Sequence, residues 1–225
     1  MSHLDEKIQG LQERLLLMGR QAESMMQLAL RLLVERNESL GLEVFQKEKE
    51  VNDLQIEIDD TAVKLTALQQ PVGTDVRFLF MASRIATELE RIGDQAVNIV
   101  QNTGYLLKAP PLKPLVDLPV MGEIAERMVR NSLDALVAKD CDIANKVLEE
   151  EKKVDEYRDQ IFRVLLTYMM ADPGTIQRAL ALILISRNLE RVGDHATNIA
   201  EEVIYMVEGR EVRHRYESST RNLPE

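Results

Sequence analysis

The chain has 225 residues, with 28 Lys and Arg against 38 Asp and Glu, and a formal net charge of −10. That balance opposes general nucleic-acid binding, which needs a basic face. The absence of Trp and an aromatic content of only 4% oppose stacking platforms for single strands or sugars. A single cysteine, Cys141, excludes a disulfide framework and a thiolate zinc site, and it suits the cytoplasm. Hydrophobic residues make up 45%, enough for a sizeable core. The first residues, Met1 to Lys7, carry no apolar signal core. The longest apolar run, Ala179 to Ile185, is about one-third of the roughly 20 residues that span a bilayer. The expectation is a cytoplasmic chain that meets a membrane only through partners.

Leu, Ala, Glu, Arg and Met fill long stretches between sparse Gly and Pro, so the elements read as helices. The first is predicted from about Leu4 to Glu35, broken at Asn37-Glu38-Ser39, where Ser39 can cap the second. The second runs from about Leu40 to Leu68 and stops before Gln70-Pro71-Val72-Gly73. The third starts after Thr74-Asp75 and continues to about Leu107. Four of the seven prolines then fall between Ala109 and Pro119. Proline cannot donate to a helix and fixes its own φ, so this segment reads as a stiff, extended connector. Three further helices follow: Val120 to Ala138, Asp142 to Ala171 and Ile176 to Glu208, with a turn at Asp172-Pro173-Gly174-Thr175.

The two halves repeat. Leu89-Glu90-Arg91-Ile92-Gly93-Asp94 returns one hundred residues on as Leu189-Glu190-Arg191-Val192-Gly193-Asp194. The match continues through Ala96, Asn98 and Ile99 against Ala196, Asn198 and Ile199. A weaker match pairs Glu48 to Asn52 with Glu151 to Asp155. The predicted fold is therefore all-α, two tandem antiparallel three-helix bundles. Its parts are a first bundle over 1–108, a linker over 109–119, a second bundle over 120–209, and a polar tail over 210–225 that is expected to fray.

Each third helix has an apolar seam; in the second half it is Leu189, Val192, Ala196, Ile199, Val203 and Met206. At about 100° per residue, Glu190, Asp194 and Asn198 project away from that seam as a ladder of oxygen donors. Glu90, Asp94 and Asn98 repeat the ladder, and the second helices add Glu151 with Asp155, and Glu48 with Asn52. Two readings stand. One is a solvated face on which Arg91 and Arg191 share charge with the acids. The other is a cation site, because like charges at i, i+4 oppose a helix and a hard divalent ion accepts several carboxylate oxygens.

Gly93 and Gly193 lie mid-helix, where Gly is about 1 kcal/mol worse than Ala. The expected reason is close approach of a neighbouring helix at a small-residue strip that includes Ser186, Thr197 and Ala200. His195 replaces Gln95 of the first repeat and is expected at the surface, with a supplementary ligand role as the alternative. His3 and His214 carry no signal, Cys141 is expected to be an inert thiol, and the methionines read as core filling. Phosphate-loop, dinucleotide and nucleophile-elbow motifs are missing from the sequence. The Glu-x-x-His pairs of di-iron bundles are missing too, which counts against a ferritin-like oxidase.

With its two Leu-Glu-Arg-x-Gly-Asp blocks, its tandem three-helix repeat, the Gln70-Pro71 turn and Asp75-Val76-Arg77, the chain resembles the PhoU family over nearly its whole length. The resemblance implies a cytoplasmic, non-enzymatic and usually dimeric regulator that damps the phosphate-starvation response. It implies two partners: the ATPase subunit of the phosphate ABC transporter and the sensor histidine kinase of the phosphate regulon. It also implies divalent metal (Fe, Mn, Zn or Mg) on the acidic faces, carried here by Glu90, Asp94, Glu151, Asp155, Glu190 and Asp194. At the second helix of the first half the pattern departs, because Asn52 stands where the family has Asp; a site there is expected to be weaker. A metal–carboxylate enzyme, or a PhoU-like scaffold for another anion transporter, are the rival readings.

Overall fold

The computed structural model describes residues 3–210; the tail from residue 211 on, with His214, lies outside them. The elements are α1 (His3–Glu35), α2 (Ser39–Gln69), α3 (Thr74–Leu107), α4 (Asp117–Ala138), α5 (Cys141–Ala171) and α6 (Ile176–Glu208). A 3-10 turn, Pro173–Thr175, precedes α6. The chain is all-α, as the periodicity predicts.

The breaks between helices have local causes. Asn37, not Ser39, closes the start of α2: its Oδ1 accepts from the Ser39 backbone N–H at 3.2 Å and from the Ser39 hydroxyl at 2.8 Å. Asp140 caps α5 by accepting from the N–H groups of Asp142 and Ile143. Lys139, just before it, ends α4 in the left-handed region at φ 53°. The proline connector is shorter than expected. Helix α4 starts at Asp117 and takes Pro119 into its first turn, where the missing N–H has no helical acceptor to lose.

The connector is also held down. Arg36 adopts φ 55°, and its Nη2 donates to the carbonyls of Leu106, Leu107 and Ala109 at 3.0, 3.2 and 2.8 Å. These include carbonyls that the end of α3 leaves without a helical donor. From the other repeat, Arg178 donates to the Pro110 carbonyl at 3.1 Å. Together they fix how the chain passes from the first repeat to the second.

Within each repeat the three helices pack on one another, and the repeats join along α3 with α6 and across α1 with α4. Arg84 meets Glu202 and Glu88 meets Asn198, so α3 and α6 run antiparallel. One continuous apolar core results, with Leu15, Met25, Ile85, Leu89, Ile185 and Leu189 fully enclosed. At the α1–α4 crossing a Cβ on Gly19 would lie 2.7 Å from Leu133, and one on Gly122 would lie 2.6 Å from Leu30. The two contacts are reciprocal, and a side chain at either place would have to displace a leucine of the facing helix. Gly93 and Gly193 differ from expectation. A Cβ there would meet only the ends of Met25 or Met128 and of Val51 or Val154, at 3.4–3.6 Å. No helix backbone approaches them closely.

Among the described residues no helix is long and apolar enough to cross a membrane.

Candidate functional site

The acidic ladders lie along the grooves where each second helix packs on its third. In the second repeat, Glu151 and Asp155 of α5 face Glu190 and Asp194 of α6. Glu190 is half-buried with a side-chain exposure of 21%, and Asp155 and Asp194 sit at the rim. Desolvation, then the charges of Asp194 and Asp155, push the Glu151 carboxyl up to about 7. Desolvation followed by Glu190 and Asp155 raises Asp194, and desolvation with Glu190 raises Asp155 against the pull of Arg158. The acids are therefore crowded and short of compensating charge.

Arg158 is a residue that the ladder pattern missed. Its Nη1 donates to Asp155 Oδ1 at 3.1 Å and to Glu190 Oε1, and the guanidinium also pairs with Asp159 at 2.9 Å. It lies three residues beyond Asp155 on the same stripe, so an i+3 step from the ladder finds it.

The first repeat has the same groove with different occupants. Glu48 and Asn52 of α2 face Glu90 and Asp94 of α3. Desolvation, then Asp94, raises the Glu90 carboxyl; Glu48 adds to this, while Arg91 at 3.6 Å opposes it. Gln55 stands where the second repeat has Arg158. Asn52 removes one carboxylate and Gln55 removes one guanidinium, and Ile56 stands where the second groove has Asp159.

Oxygen donors of this kind suit a hard cation. Among the described residues, however, no group of three or more His, Cys, Asp or Glu side chains is arranged to hold a metal ion. In the first groove Glu48, Glu90 and Asp94 offer hard oxygen donors, with Arg91 against Glu90 as the nearby cation. In the second, the Arg158 guanidinium already provides positive charge between Asp155 and Glu190.

The last rung of the second ladder belongs elsewhere. Asn198 Nδ2 donates to Glu88 Oε2 of α3 at 3.0 Å, and His195 Nδ1 is 2.8 Å from the same oxygen. His195 is thus a half-buried seam residue, not a surface one. Burial alone would raise the Glu88 carboxyl, but the hydrogen bonds from His195 and Asn198 outweigh it and hold the pKa below the usual range. One turn away Arg84 pairs with Glu202 at 3.0 Å. The other half of the seam carries neutral amides. Gln95, the counterpart of His195, is buried; its Nε2 reaches the Arg91 carbonyl at 3.4 Å, and its Oε1 has no partner. Asn98 and Asn188 complete that half. Nothing in the sequence announced the Glu88–His195 contact, because it exists only once α3 and α6 are paired.

The α1–α4 seam is asymmetric in the same way. Arg130 donates to Glu23 across it at 2.8 Å. At the matching places of the other repeat stand Glu126 and Gln27, so Glu126 has no such cation of its own. Burial pushes its carboxyl up to about 7, with Arg130 pulling it down and Glu23 and Glu123 adding to the rise. Cys141, the first residue of α5, is half-buried; desolvation and the neighbouring Glu208 raise its thiol pKa, in keeping with an inert group.

A duplicated three-helix unit, joined through its third helices and bearing crowded acids on each, defines an all-α tandem-repeat class of protein. The family model described as the PhoU domain matches this chain twice, over residues 15–103 and 118–203. The chain belongs to the PhoU family. A relative from Zymomonas mobilis, named "Phosphate-specific transport system accessory protein PhoU homolog", is 39% identical over 94% of this chain and 89% of its own. One of the same name from Pseudomonas putida is 35% identical over 92% and 82%. The crystal structure of PhoU from Pseudomonas aeruginosa aligns with a TM-score of 0.90 at 33% identity, covering 92% of this chain and all of that one. A Streptococcus pneumoniae structure, at 23% identity and a TM-score of 0.85, shares the fold.

Proposed function

We propose that this chain is a non-enzymatic accessory protein of phosphate transport, acting in the cytoplasm as a negative regulator of the phosphate-starvation response. In this reading it links the phosphate-specific ABC transporter, through its ATPase subunit, to a sensor histidine kinase, and it works as a homodimer. The observation that carries the reading is the match of both repeats, over nearly the full length, to relatives named as accessory proteins of phosphate-specific transport.

The acid grooves supply the contact chemistry. Their carboxylates are held partly desolvated and close together, which raises their pKa values and leaves them receptive to an external cation or a basic partner surface. A divalent ion, when bound, neutralises this crowding. Glu48, Asn52, Glu90 and Asp94 would hold it in the first groove. Glu151, Asp155, Glu190 and Asp194 would hold it in the second, in competition with Arg158. The ion then tunes the face and performs no bond chemistry.

Alanine at Glu90, Asp94, Glu190 and Asp194 together tests the reading. The helical fold is expected to survive, and expression of phosphate-starvation genes is expected to escape restraint at high phosphate. Full restraint by that variant would remove the grooves from the mechanism. Elemental analysis of untagged protein, with thermal shifts in Mn, Fe, Zn and Mg, checks the cation separately.

A further inference from the structure

The two hairpin tips of the repeats do not match. At the α5–α6 tip, Phe162 and Leu166 of α5 and Ile176, Leu180 and Leu184 of α6 are all exposed at 40–48%. The contact of Arg158 with Glu190 fixes which sides of α5 and α6 face each other. At the matching places of the first repeat Ser83 is hydrogen-bonded to Asp59, which sets Phe162 beside Ile183 in the second. On α6, residues 176, 180 and 184 follow one another at i, i+4, i+8 and line one face, and on α5 Phe162 and Leu166, at i, i+4, line the adjoining one.

The first repeat provides an internal comparison. Val63, Val76 and Phe80 occupy the places of Leu166, Ile176 and Leu180 and are also exposed. Three other places differ in kind. Asp59 stands for Phe162, Ser83 for Ile183 and Arg84 for Leu184. The Ser83 hydroxyl donates to Asp59, and Arg84 lies 5.0 Å over the Phe80 ring while pairing with Glu202. The first tip thus interrupts its apolar residues with satisfied polar ones, whereas the second is continuous. An exposed apolar face of this kind, unbroken where the first repeat sets the Ser83–Asp59 and Arg84–Glu202 pairs among its apolar residues, marks an interaction surface.

Charge says what meets it. Arg187 and Arg191 extend the Ile176, Leu180, Leu184 stripe by two turns, both exposed, and among the described residues no ion pair holds either of them. Resting on the accessory-protein reading above, we propose that the α5–α6 tip docks an amphipathic helix of a transport-system subunit, apolar along its contact side and acidic at the end that meets Arg187 and Arg191. Apolar contact supplies the affinity and the guanidiniums set the register of the incoming helix. An anionic lipid surface fits less well, since the acidic groove of Glu190 and Asp194 opens beside the same stripe.

The test uses the full chain with the purified phosphate transport complex in nanodiscs, with empty nanodiscs in parallel, read by biolayer interferometry. Phe162→Asp with Leu184→Arg installs residues that the first repeat already carries at those places. This variant is expected to keep its helicity and lose binding by about tenfold or more. Arg187→Glu with Arg191→Glu should lose binding too, most strongly at low salt. Unchanged binding by the folded apolar variant overturns the proposal, and if that variant fails to fold, unchanged binding by the arginine variant does so. Equal binding to empty nanodiscs assigns the tip to lipid, and a variant that only dissociates a dimer assigns it to a second copy; either result overturns the proposal. Should the wild-type chain bind no transport complex at all, the accessory reading falls and takes this one with it.

Discussion

Arg158 of α5 donates to Glu190 of α6 and, through the same nitrogen, to Asp155, so one guanidinium joins the two acidic rows of the second groove. Its counterpart in the first groove is Gln55. A partly buried charge-assisted bond contributes about 1–3 kcal/mol. Arg158→Gln is therefore expected to lower the urea midpoint and to raise the affinity of the second groove for Mn or Mg. Urea unfolding and calorimetric titration of the variant beside the wild type check the two effects in turn; a variant that binds cation no better would show that Arg158 does not compete.

Glu126 and Glu151 each have a folded pKa of about 7, well above the value of an unfolded glutamate. The folded state therefore binds more protons between about pH 4.5 and 7. The contribution of these groups is fully present below the unfolded pKa and is lost as pH rises through 7. Unfolding in urea should show greater stability at pH 6 than at pH 8. Glu126→Gln should flatten part of that slope and stabilise the protein at pH 8 by about 1 kcal/mol, allowing for solvent screening.

The Glu88 carboxylate behaves in the opposite sense. Its folded pKa is lowered, so its contribution is present above the unfolded value and disappears on acidification through the folded one. Glu88→Ala leaves His195 and Asn198 without their shared acceptor, at an expected loss of about 1–3 kcal/mol at pH 7. A double-mutant cycle with Asn198→Ala should return a coupling of about 0.5–3 kcal/mol; strict additivity would show that the contact carries no energy.

The glycines separate into two kinds. Gly122→Ala drives a methyl group into Leu30 at the α1–α4 crossing and should destabilise by about 1–3 kcal/mol. Gly93→Ala meets only the mobile end of Met25 and the Val51 side chain at ordinary contact distance. There the gain in helix propensity, up to about 1 kcal/mol, should prevail. Thermal melts of the two variants are expected to move in opposite directions.

These contrasts show where sequence reading reaches and where it stops. Helical periodicity, the repeat and the turns at Gln70 and Asp172 are local properties, and all six helices were legible from them. The ladders of Glu90 with Asp94 and Glu190 with Asp194 followed from the same spacing. The start of α4 lies at Asp117 and not at Val120 because a proline in the first turn of a helix looks, in sequence, like a proline before it. Gly19 and Gly122 carry no sequence signal and Gly93 a misleading one, because only the crossing of α1 and α4 decides which glycine has a close neighbour at its Cβ. His195 was placed at the surface for a related reason: its environment is supplied by α3, one hundred residues away.

Arg36 and Arg178 reach the connector from opposite repeats and grip successive carbonyls over Leu106 to Pro110. Hydrogen bonds from both sides oppose use of this crossover as a pivot. With α3 and α6 laced together as well, a push on either repeat is transmitted through the molecule as through a solid bar. In the accessory role proposed above, the readout would then be which surfaces are occupied, with the two arms held in one arrangement.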